Sequence, residues 1–130
     1  MIIADTSAWV EYLRGTGSDV NVRMRELIAE PNQLVVTDAV LMELLAGERD
    51  PGGVDRLRRL LRRCGFARTE APLDYESAAA VYRACRRAGY VVGSQLDCLI
   101  AAVAIRAELP LLHADRDFDA IGEHTALTIA

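Results

Sequence analysis

Residues 109–119 read LPLLHADRDFD, a short apolar run followed by three aspartates at alternating positions. An apolar run of this length, with a proline near its start and polar residues after it, is typical of a buried strand, which we predict at LPLLH (109–113). Asp115 then lies just beyond the carboxyl end of that strand. The placement of acidic residues relative to strands is the feature from which the rest of the sequence is interpreted.

The alternating acids first suggest a calcium-binding loop beginning at Asp115. Such a loop requires glycine at its sixth position and a bidentate glutamate at its twelfth. These positions hold Ala120 and Ala126. The sequence therefore excludes an EF-hand and leaves Asp115, Asp117 and Asp119 to be explained in another way.

Short apolar runs alternate with longer segments of helical period along the whole chain. This alternation predicts βαβ units and an α/β fold with a central parallel sheet flanked by helices. The predicted strands are MIIA (1–4), QLVVT (33–37), FARTEA (66–71), LPLLH (109–113) and a short fifth strand at 127–129. The first predicted helix follows the first strand and carries Trp9, Tyr12 and Leu13 on one face. Further helices are predicted near 20–30 and at 38–47, 54–64, 75–88 and 95–108. DPGG (50–53) is predicted as a turn, and Asp74 as the N-cap of the helix at 75–88.

Length and composition set the broad class. A chain of 130 residues with 52% hydrophobic content predicts a single domain, 1–130, with one core. The longest apolar run, Cys98 to Ile105, has eight residues, too few to span a membrane. With no visible export signal and three cysteines outside any CxxC pair, we expect a cytoplasmic protein with free thiols.

The charge pattern limits the possible chemistry. The net charge of −4 argues against a protein that binds nucleic acid through its overall charge. All fifteen basic residues are arginine, so mechanisms that need a catalytic or phosphate-binding lysine, such as a Walker-type loop, are excluded.

Four carboxylates from remote segments are expected to meet at one edge of the sheet. In open α/β sheets, ligands bind beyond the carboxyl ends of the strands. Asp5 and Asp115 follow the first and fourth predicted strands, Glu43 lies early in the helix after the second strand, and Asp97 lies in the first turn of the most apolar helix.

Each aspartate also has a purely structural interpretation. Asp5, Asp115 or Asp117 would serve as an N-cap, and SQLD (94–97) resembles a capping box that would give Asp97 a structural role. Glu43 differs, because it lies in the apolar stretch AVLMELLAG, where a lone carboxylate has no capping role.

A cluster of carboxylates needs a cation. Two unit charges about 4 Å apart repel by roughly 4 kcal/mol at an effective dielectric of about 20. An all-oxygen site suits Mg²⁺ or Mn²⁺ rather than zinc. One or two such ions can activate water and stabilise charge on a phosphodiester, so the pattern favours metal-dependent phosphodiester hydrolysis.

Four segments together resemble the successive motifs of PIN-domain ribonucleases, specifically the VapC-type toxins of toxin–antitoxin pairs. The segments are IIADTSAWVEYLRG, TDAVLMELLAG, DCLIAAVAI and LLHADRDFDAI, which cover nearly the whole chain in order. The resemblance implies a Rossmann-like PIN fold, an endoribonuclease dependent on Mg²⁺ or Mn²⁺, a homodimer, and a cognate antitoxin that binds DNA.

The resemblance also assigns residues. It implies a catalytic and metal-binding quartet of Asp5, Glu43, Asp97 and Asp115, with Asp5 and Asp97 as the principal ligands. Asp117 would be an accessory acid, either a water-mediated ligand or a cap, and Asp119 would face solvent. The hydroxyls of Thr6 and Ser7 would support Asp5 or a phosphate oxygen, and His113 would be packed rather than catalytic.

Several other side chains have two interpretations. The arginines of the face Arg56–Arg63 are interpreted first as solvated and second as contacts for RNA phosphate or the antitoxin. Trp9, Tyr12 and Tyr82 could stack on bases, but their helical spacing favours core or dimer contacts.

Two alternatives to the ribonuclease hypothesis remain at this point. One is another metal-dependent phosphoesterase, such as a DNA nuclease, which would use the same metal chemistry. A dehalogenase-like phosphatase fits less well, because it needs a DxD motif directly after the first strand and Asp5 is followed by Thr6 and Ser7. The other is a non-catalytic module whose acids only hold a basic antitoxin tail.

Overall fold

The computed structural model describes residues 1–130 and contains a four-stranded, all-parallel sheet surrounded by helices. The strands lie in the order β3-β2-β1-β4, which confirms the predicted α/β class with a central parallel sheet. Their bounds are β1 (Ile2–Ala4), β2 (Leu34–Thr37), β3 (Gly65–Ala67) and β4 (Leu111–Leu112).

Seven helices cover the sheet. They are α1 (Thr6–Leu13), α2 (Asp19–Ala29), α3 (Asp38–Gly47), α4 (Pro51–Leu61), α5 (Leu73–Arg87), α6 (Gln95–Ala107) and α7 (Arg116–His124). The most buried is α6, where every side chain from Cys98 to Ala104 lies in the core. It packs along α5 and also contacts α3 and α7. None of the seven helices combines the length and the apolar character that a membrane span requires.

The order of the strands creates a crevice between β1 and β4. Strand β1 pairs with β2 through Ile3↔Val35 and, on its other side, with β4 through Ile3↔Leu111. Strands β2 and β3 thus lie on one side of β1, and β4, which comes later in the chain, lies on the other side. This reversal of strand order is the place where doubly wound folds bind their ligands.

Two strand predictions need correction. The third strand is shorter than predicted, Gly65–Ala67, because the chain leaves the sheet where Thr69 bonds to Asp38 instead of to β2. The predicted fifth strand is only a single bridge between Ile129 and Leu111.

The predicted turn DPGG is instead the start of α4. Asp50 is the N-cap and accepts a hydrogen bond from the amide of Gly53 at 3.1 Å. Pro51 occupies the first helical position, where its missing N–H costs nothing and its fixed φ suits the helix. The sequence DPGG therefore nucleates a helix.

Asp74 was predicted as the N-cap of α5, and this prediction is wrong. The residue is part of a buried ion pair. The helix begins at Leu73, two residues before the predicted start. The Asp74 carboxylate accepts hydrogen bonds from Arg106 Nε at 3.0 Å and from the Glu70 amide at 2.8 Å. Arg106 also donates to the carbonyl of Arg68 at 2.7 Å. The pair ties α5 to α6 and to the loop after β3.

The residues predicted on one face of the first helix differ in burial, and Tyr12 is only partly buried. Trp9 is fully buried and packs edge-on against Tyr12, so it is a core residue of this chain and not a dimer contact. Leu13, expected on the same face, is about half exposed. The three cysteines are free thiols, as predicted, and burial raises the pKa of Cys98 to about 11.

The Asp74–Arg106 pair should contribute measurably to the stability of the α5–α6 unit. Asp74→Ala removes the buried partner of a largely buried guanidinium, which keeps only the exposed Glu70 carboxylate at 3.5 Å, and should lower the free energy of unfolding by roughly 2–4 kcal/mol. The matched control Asp55→Ala breaks an exposed ion pair and should cost less than about 1 kcal/mol.

Denaturant unfolding of both variants checks this expectation. Burial tends to raise the pKa of Asp74, but the bonds from Arg106 and Glu70 lower it below 3.8 overall. The stabilisation is therefore present above this pH and is lost as the pH falls through the lowered pKa. Equal effects of the two variants near neutral pH would contradict this account of the ion pair.

Candidate metal centre

Asp5 lies at the carboxyl end of β1, inside the crevice. It caps α1 by accepting a hydrogen bond from the Ser7 amide at 2.9 Å, and the Ser7 hydroxyl donates to the same oxygen, Oδ2, at 2.6 Å. Its other oxygen, Oδ1, is buried and has no hydrogen-bond partner. A buried carboxylate oxygen left free in this way is available to a cation.

Asp115 and Asp117 lie across the crevice at the start of α7. Asp115 is the N-cap of α7 and accepts from the Asp117 amide at 2.9 Å. This local bond brings the two side chains together. Asp97 completes the group, because one oxygen from each of the three carboxylates lies within 4.8 Å of the others.

Asp97 is the third residue of α6, and the capping box predicted for it is absent. Ser94 is the N-cap residue, but its side chain makes no capping hydrogen bond. The Asp97 carboxylate has neither a hydrogen bond nor an ion pair with the rest of the protein. The capping-box interpretation is therefore wrong, although Asp97 does lie in the first turn of α6, where a negative charge is favourable.

Glu43 approaches the group from α3. Its Oε1 accepts a hydrogen bond from the Thr6 hydroxyl at 2.7 Å, which links α3 to the start of α1. Of the two hydroxyls predicted to support Asp5, only that of Ser7 donates a hydrogen bond to Asp5. The Thr6 hydroxyl donates to Glu43 instead. Glu43 is half-buried. Neither Glu43 nor Asp5 is one of the three mutually close acids, but the charges of both act on Asp97.

The electrostatics converge on Asp97. Burial raises its pKa most, and the charges of four other acids raise it further, to about 7. Those acids, in decreasing order of effect, are Asp5, Asp115, Glu43 and Asp117. The pKa of Asp5 is also raised, chiefly by burial, against the opposing effect of the bonds from Ser7. The four residues of the predicted quartet therefore share one electrostatic environment.

Other acids near strand ends are used for structure. Asp38 directly follows β2, but it accepts bonds from the Thr69 amide at 2.9 Å and the Thr69 hydroxyl at 2.6 Å, which hold the chain after β3. Asp119 is exposed and lies 3.1 Å from Nε2 of His113. It thus faces solvent, as predicted, and is also in contact with this histidine.

His113 is packed, as predicted. Its ring lies against Phe118, and its Nδ1 accepts from the Asp115 amide at 3.1 Å, which supports the turn before α7.

The role of one acid was only partly foreseen from the sequence, and one contact of the site was not foreseen. Asp117 was predicted only as an accessory acid or cap, yet it lies with Asp97 and Asp115. Its position two residues after an N-cap was the available signal. Ser7 also accepts a bond from the Ala114 amide at 2.9 Å, so it connects Asp5 to the loop that leads to Asp115. No sequence signal indicated this contact between residues 107 positions apart.

The donor set fits a hard divalent cation. All five acids offer only oxygen, which Mg²⁺ and Mn²⁺ prefer, and none of them forms an ion pair with arginine. The free Oδ1 of Asp5 and the unbonded carboxylate of Asp97 are the ligand atoms that the protein leaves unsatisfied. The cluster is thus able to bind a metal ion.

The arginine face of α4 lies apart from these acids. Arg56 pairs with Asp50 at 3.3 Å and Arg58 with Asp55 at 3.1 Å, both exposed pairs. Arg59, Arg62 and Arg63 are exposed without ion pairs. A solvated face accounts for these contacts, and a role for it in binding stays a prediction.

Comparison with known sequences identifies the fold family. The PIN domain family matches residues 2–124. The VapC ribonuclease Mb1587 of Mycobacterium bovis is 43% identical, with 100% of this chain and 98% of the relative covered. Ribonuclease VapC11 of Mycobacterium tuberculosis matches with the same identity and coverage.

Solved structures support the same fold. VapBC2 from Rickettsia felis, bound to a DNA fragment from its promoter, superimposes with a TM-score of 0.76 at 18% identity, covering 100% of this chain and 98% of that chain. VapC20 of Mycobacterium tuberculosis, a sarcin-ricin loop cleaving toxin, gives a TM-score of 0.65 at 23% identity, covering 94% and 95%. With the fold, the acidic crevice and these similarities in agreement, the chain belongs to the PIN-domain family and, within it, to the VapC ribonucleases.

Proposed function

We propose that this protein is the toxin of a toxin–antitoxin pair and acts as an endoribonuclease that depends on Mg²⁺ or Mn²⁺. The observation that carries the proposal is the convergence on Asp97 of four other carboxylates with no protein cation among them. The similarity to named VapC ribonucleases over the whole chain supports RNA as the substrate.

The proposed metal ligands are Asp5 and Asp97, with Asp115 and Glu43 completing the catalytic quartet. A bound divalent ion would supply activated water and charge stabilisation at the phosphodiester. Ser7 fixes the Asp5 carboxylate so that its free oxygen stays directed away from the α1 cap. Because the pKa of Asp97 is raised to about 7, part of this residue is protonated near neutral pH. A metal ion binds the ionised carboxylate, so metal binding should release protons near neutral pH.

A cognate antitoxin is the proposed protein partner. Relatives of similar fold occur in toxin–antitoxin complexes, including DNA-bound VapBC from Salmonella typhimurium, with a TM-score of 0.75 at 15% identity. An acidic crevice is complementary to an arginine or lysine of a partner, which could occupy it through charge-assisted hydrogen bonds in place of the metal. A homodimer and a cytoplasmic location stay predictions from the sequence.

Removal of a ligand charge should abolish RNA cleavage. Asp5→Asn and Asp97→Asn should each lower the rate of cleavage of total RNA with Mg²⁺ or Mn²⁺ by about 100-fold or more, since metal stabilisation of the transition state is worth several kcal/mol. Asp55→Asn, which changes an exposed acid on α4, should cleave at the wild-type rate. In growing cells, only the wild type and Asp55→Asn should arrest growth.

The outcomes separate the proposal from its alternatives. Cleavage of single-stranded DNA but not RNA would identify a DNA nuclease instead. Wild-type cleavage by Asp97→Asn would remove the acids from the mechanism. Growth arrest by Asp97→Asn without any cleavage would favour a non-catalytic module.

The same cluster should destabilise the metal-free protein. Asp97 has a pKa of 3.8 in its unperturbed state and about 7 in the folded state, so stability is lost as the pH rises through this range. Asp97→Asn removes this loss and gives up no hydrogen bond. It should therefore raise the free energy of unfolding without metal by on the order of 2 kcal/mol at about pH 8, and by less at about pH 5.

Thermal unfolding with and without Mg²⁺ checks this prediction. Added Mg²⁺ should raise the melting temperature of the wild type by mass action and leave that of Asp97→Asn nearly unchanged. A metal-free Asp97→Asn that melts below the wild type at about pH 8 would indicate a structural role for this carboxylate.

A further inference from the structure

The segment after α5 is anchored to the end of that helix. Gly89 adopts a left-handed conformation, with φ of 89°, and its amide bonds to the carbonyl of Arg86 at 2.9 Å. The amide of Tyr90 bonds to the carbonyl of Cys85 at 2.9 Å. These two bonds form a Schellman motif, which fixes the direction in which the chain leaves the helix. Tyr90 is therefore mounted on a rigid element.

Both oxygens of the Asp117 carboxylate are held by this segment. The Tyr90 hydroxyl donates to Oδ1, and the Gly93 amide donates to Oδ2 at 3.0 Å. Between the two donors in the chain, the Val92 side chain is buried in the core and anchors the segment there. Asp117 thus receives one hydrogen bond on each oxygen from residues 27 and 24 positions away.

These bonds oppose the electrostatic preference of Asp117. The carboxylate lies near Asp97 and Asp115, and like charges at such distances repel. On a partly exposed first helical turn, the side chain would lower its energy by rotating towards solvent. Two directed donors hold it in place and still leave lone pairs on both oxygens, because a carboxylate can accept about four hydrogen bonds or ligand contacts.

We propose that Tyr90 and the Gly93 amide are positioning groups that hold Asp117 in the metal centre, so that Asp117 contributes to metal affinity as a fifth acid. The inference rests on the proposed metal-dependent function. Partners that orient a metal-binding side chain in this way affect metal affinity by about 10- to 100-fold when removed. In this proposal Tyr90 acts through Asp117, to which its hydroxyl donates.

The backbone of Gly93 closely approaches the Asp117 carboxylate, so a larger residue there would have to displace it slightly. A Cβ atom at this position would lie 3.2 Å from Oδ2 of Asp117, closer than ordinary van der Waals contact. Its φ lies outside the left-handed region, so the backbone itself would accept another residue. The glycine therefore serves the contact with Asp117 rather than a turn.

Calorimetric titration of the full-length protein with Mn²⁺ alone tests the proposal. Tyr90→Phe deletes one hydroxyl and should weaken Mn²⁺ binding by about 10-fold. Gly93→Ala, which displaces the same carboxylate from its other side, should also weaken it. The matched control Tyr75→Phe deletes an exposed hydroxyl that makes no hydrogen bond, and its affinity should equal that of the wild type.

A double-mutant cycle shows whether Tyr90 acts through Asp117. Asp117→Asn should weaken Mn²⁺ binding by itself, and adding Tyr90→Phe to it should cause no further loss. A purely structural role for Tyr90 would instead give the same fold-loss in both backgrounds, which would overturn the proposal.

The remaining outcomes separate this inference from the proposed function. If the wild type binds Mn²⁺ and Asp97→Asn does not, the metal centre stands. Wild-type affinity in both Tyr90→Phe and Gly93→Ala would then refute the positioning role alone. Failure of the wild-type protein to bind Mn²⁺ would refute both.

Discussion

Repulsion among carboxylates in the crevice between β1 and β4 is the constraint on which the site depends. Two such charges about 4 Å apart cost roughly 4 kcal/mol at an effective dielectric of about 20. This chain collects five acids there without a neutralising arginine, and the raised pKa of Asp97 reflects the result. A fold that accepts this cost is organised to bind a cation, and the strand order provides the place where it can do so.

The protein treats its acids in two distinct ways. Asp74 and Asp38 have their oxygens occupied by hydrogen bonds, and both fasten remote segments to the core. The two principal ligands proposed for the centre instead keep ligand atoms free: Asp97 has no bond, and Asp5 bonds through one oxygen only. Because hydroxyl and backbone donors orient the acids without neutralising them, the supporting groups preserve the charge that a metal needs.

The sequence predicted the role of a residue well where that role depends on its neighbours in the chain. A short apolar run followed at once by Asp5 predicts both a strand and a residue at its carboxyl end, and the same logic located Asp115. It was less informative where a role depends on distant contacts. Asp74 was predicted as an N-cap, but it pairs with Arg106, 32 positions away, and links α5 to α6. The full role of Asp117 likewise depends on the segment that contains Gly93, which has no side chain to signal it.

The central claim is that these carboxylates form a metal centre, and anomalous diffraction from crystals soaked in Mn²⁺ tests it most directly. The account predicts an anomalous peak bonded to Asp97 and to at least one of Asp5 and Asp115. The peak should be absent from Asp97→Asn crystals soaked in the same way. A well-diffracting wild-type crystal with no peak in this crevice, or with Mn²⁺ bound only at exposed acids elsewhere, would contradict the account.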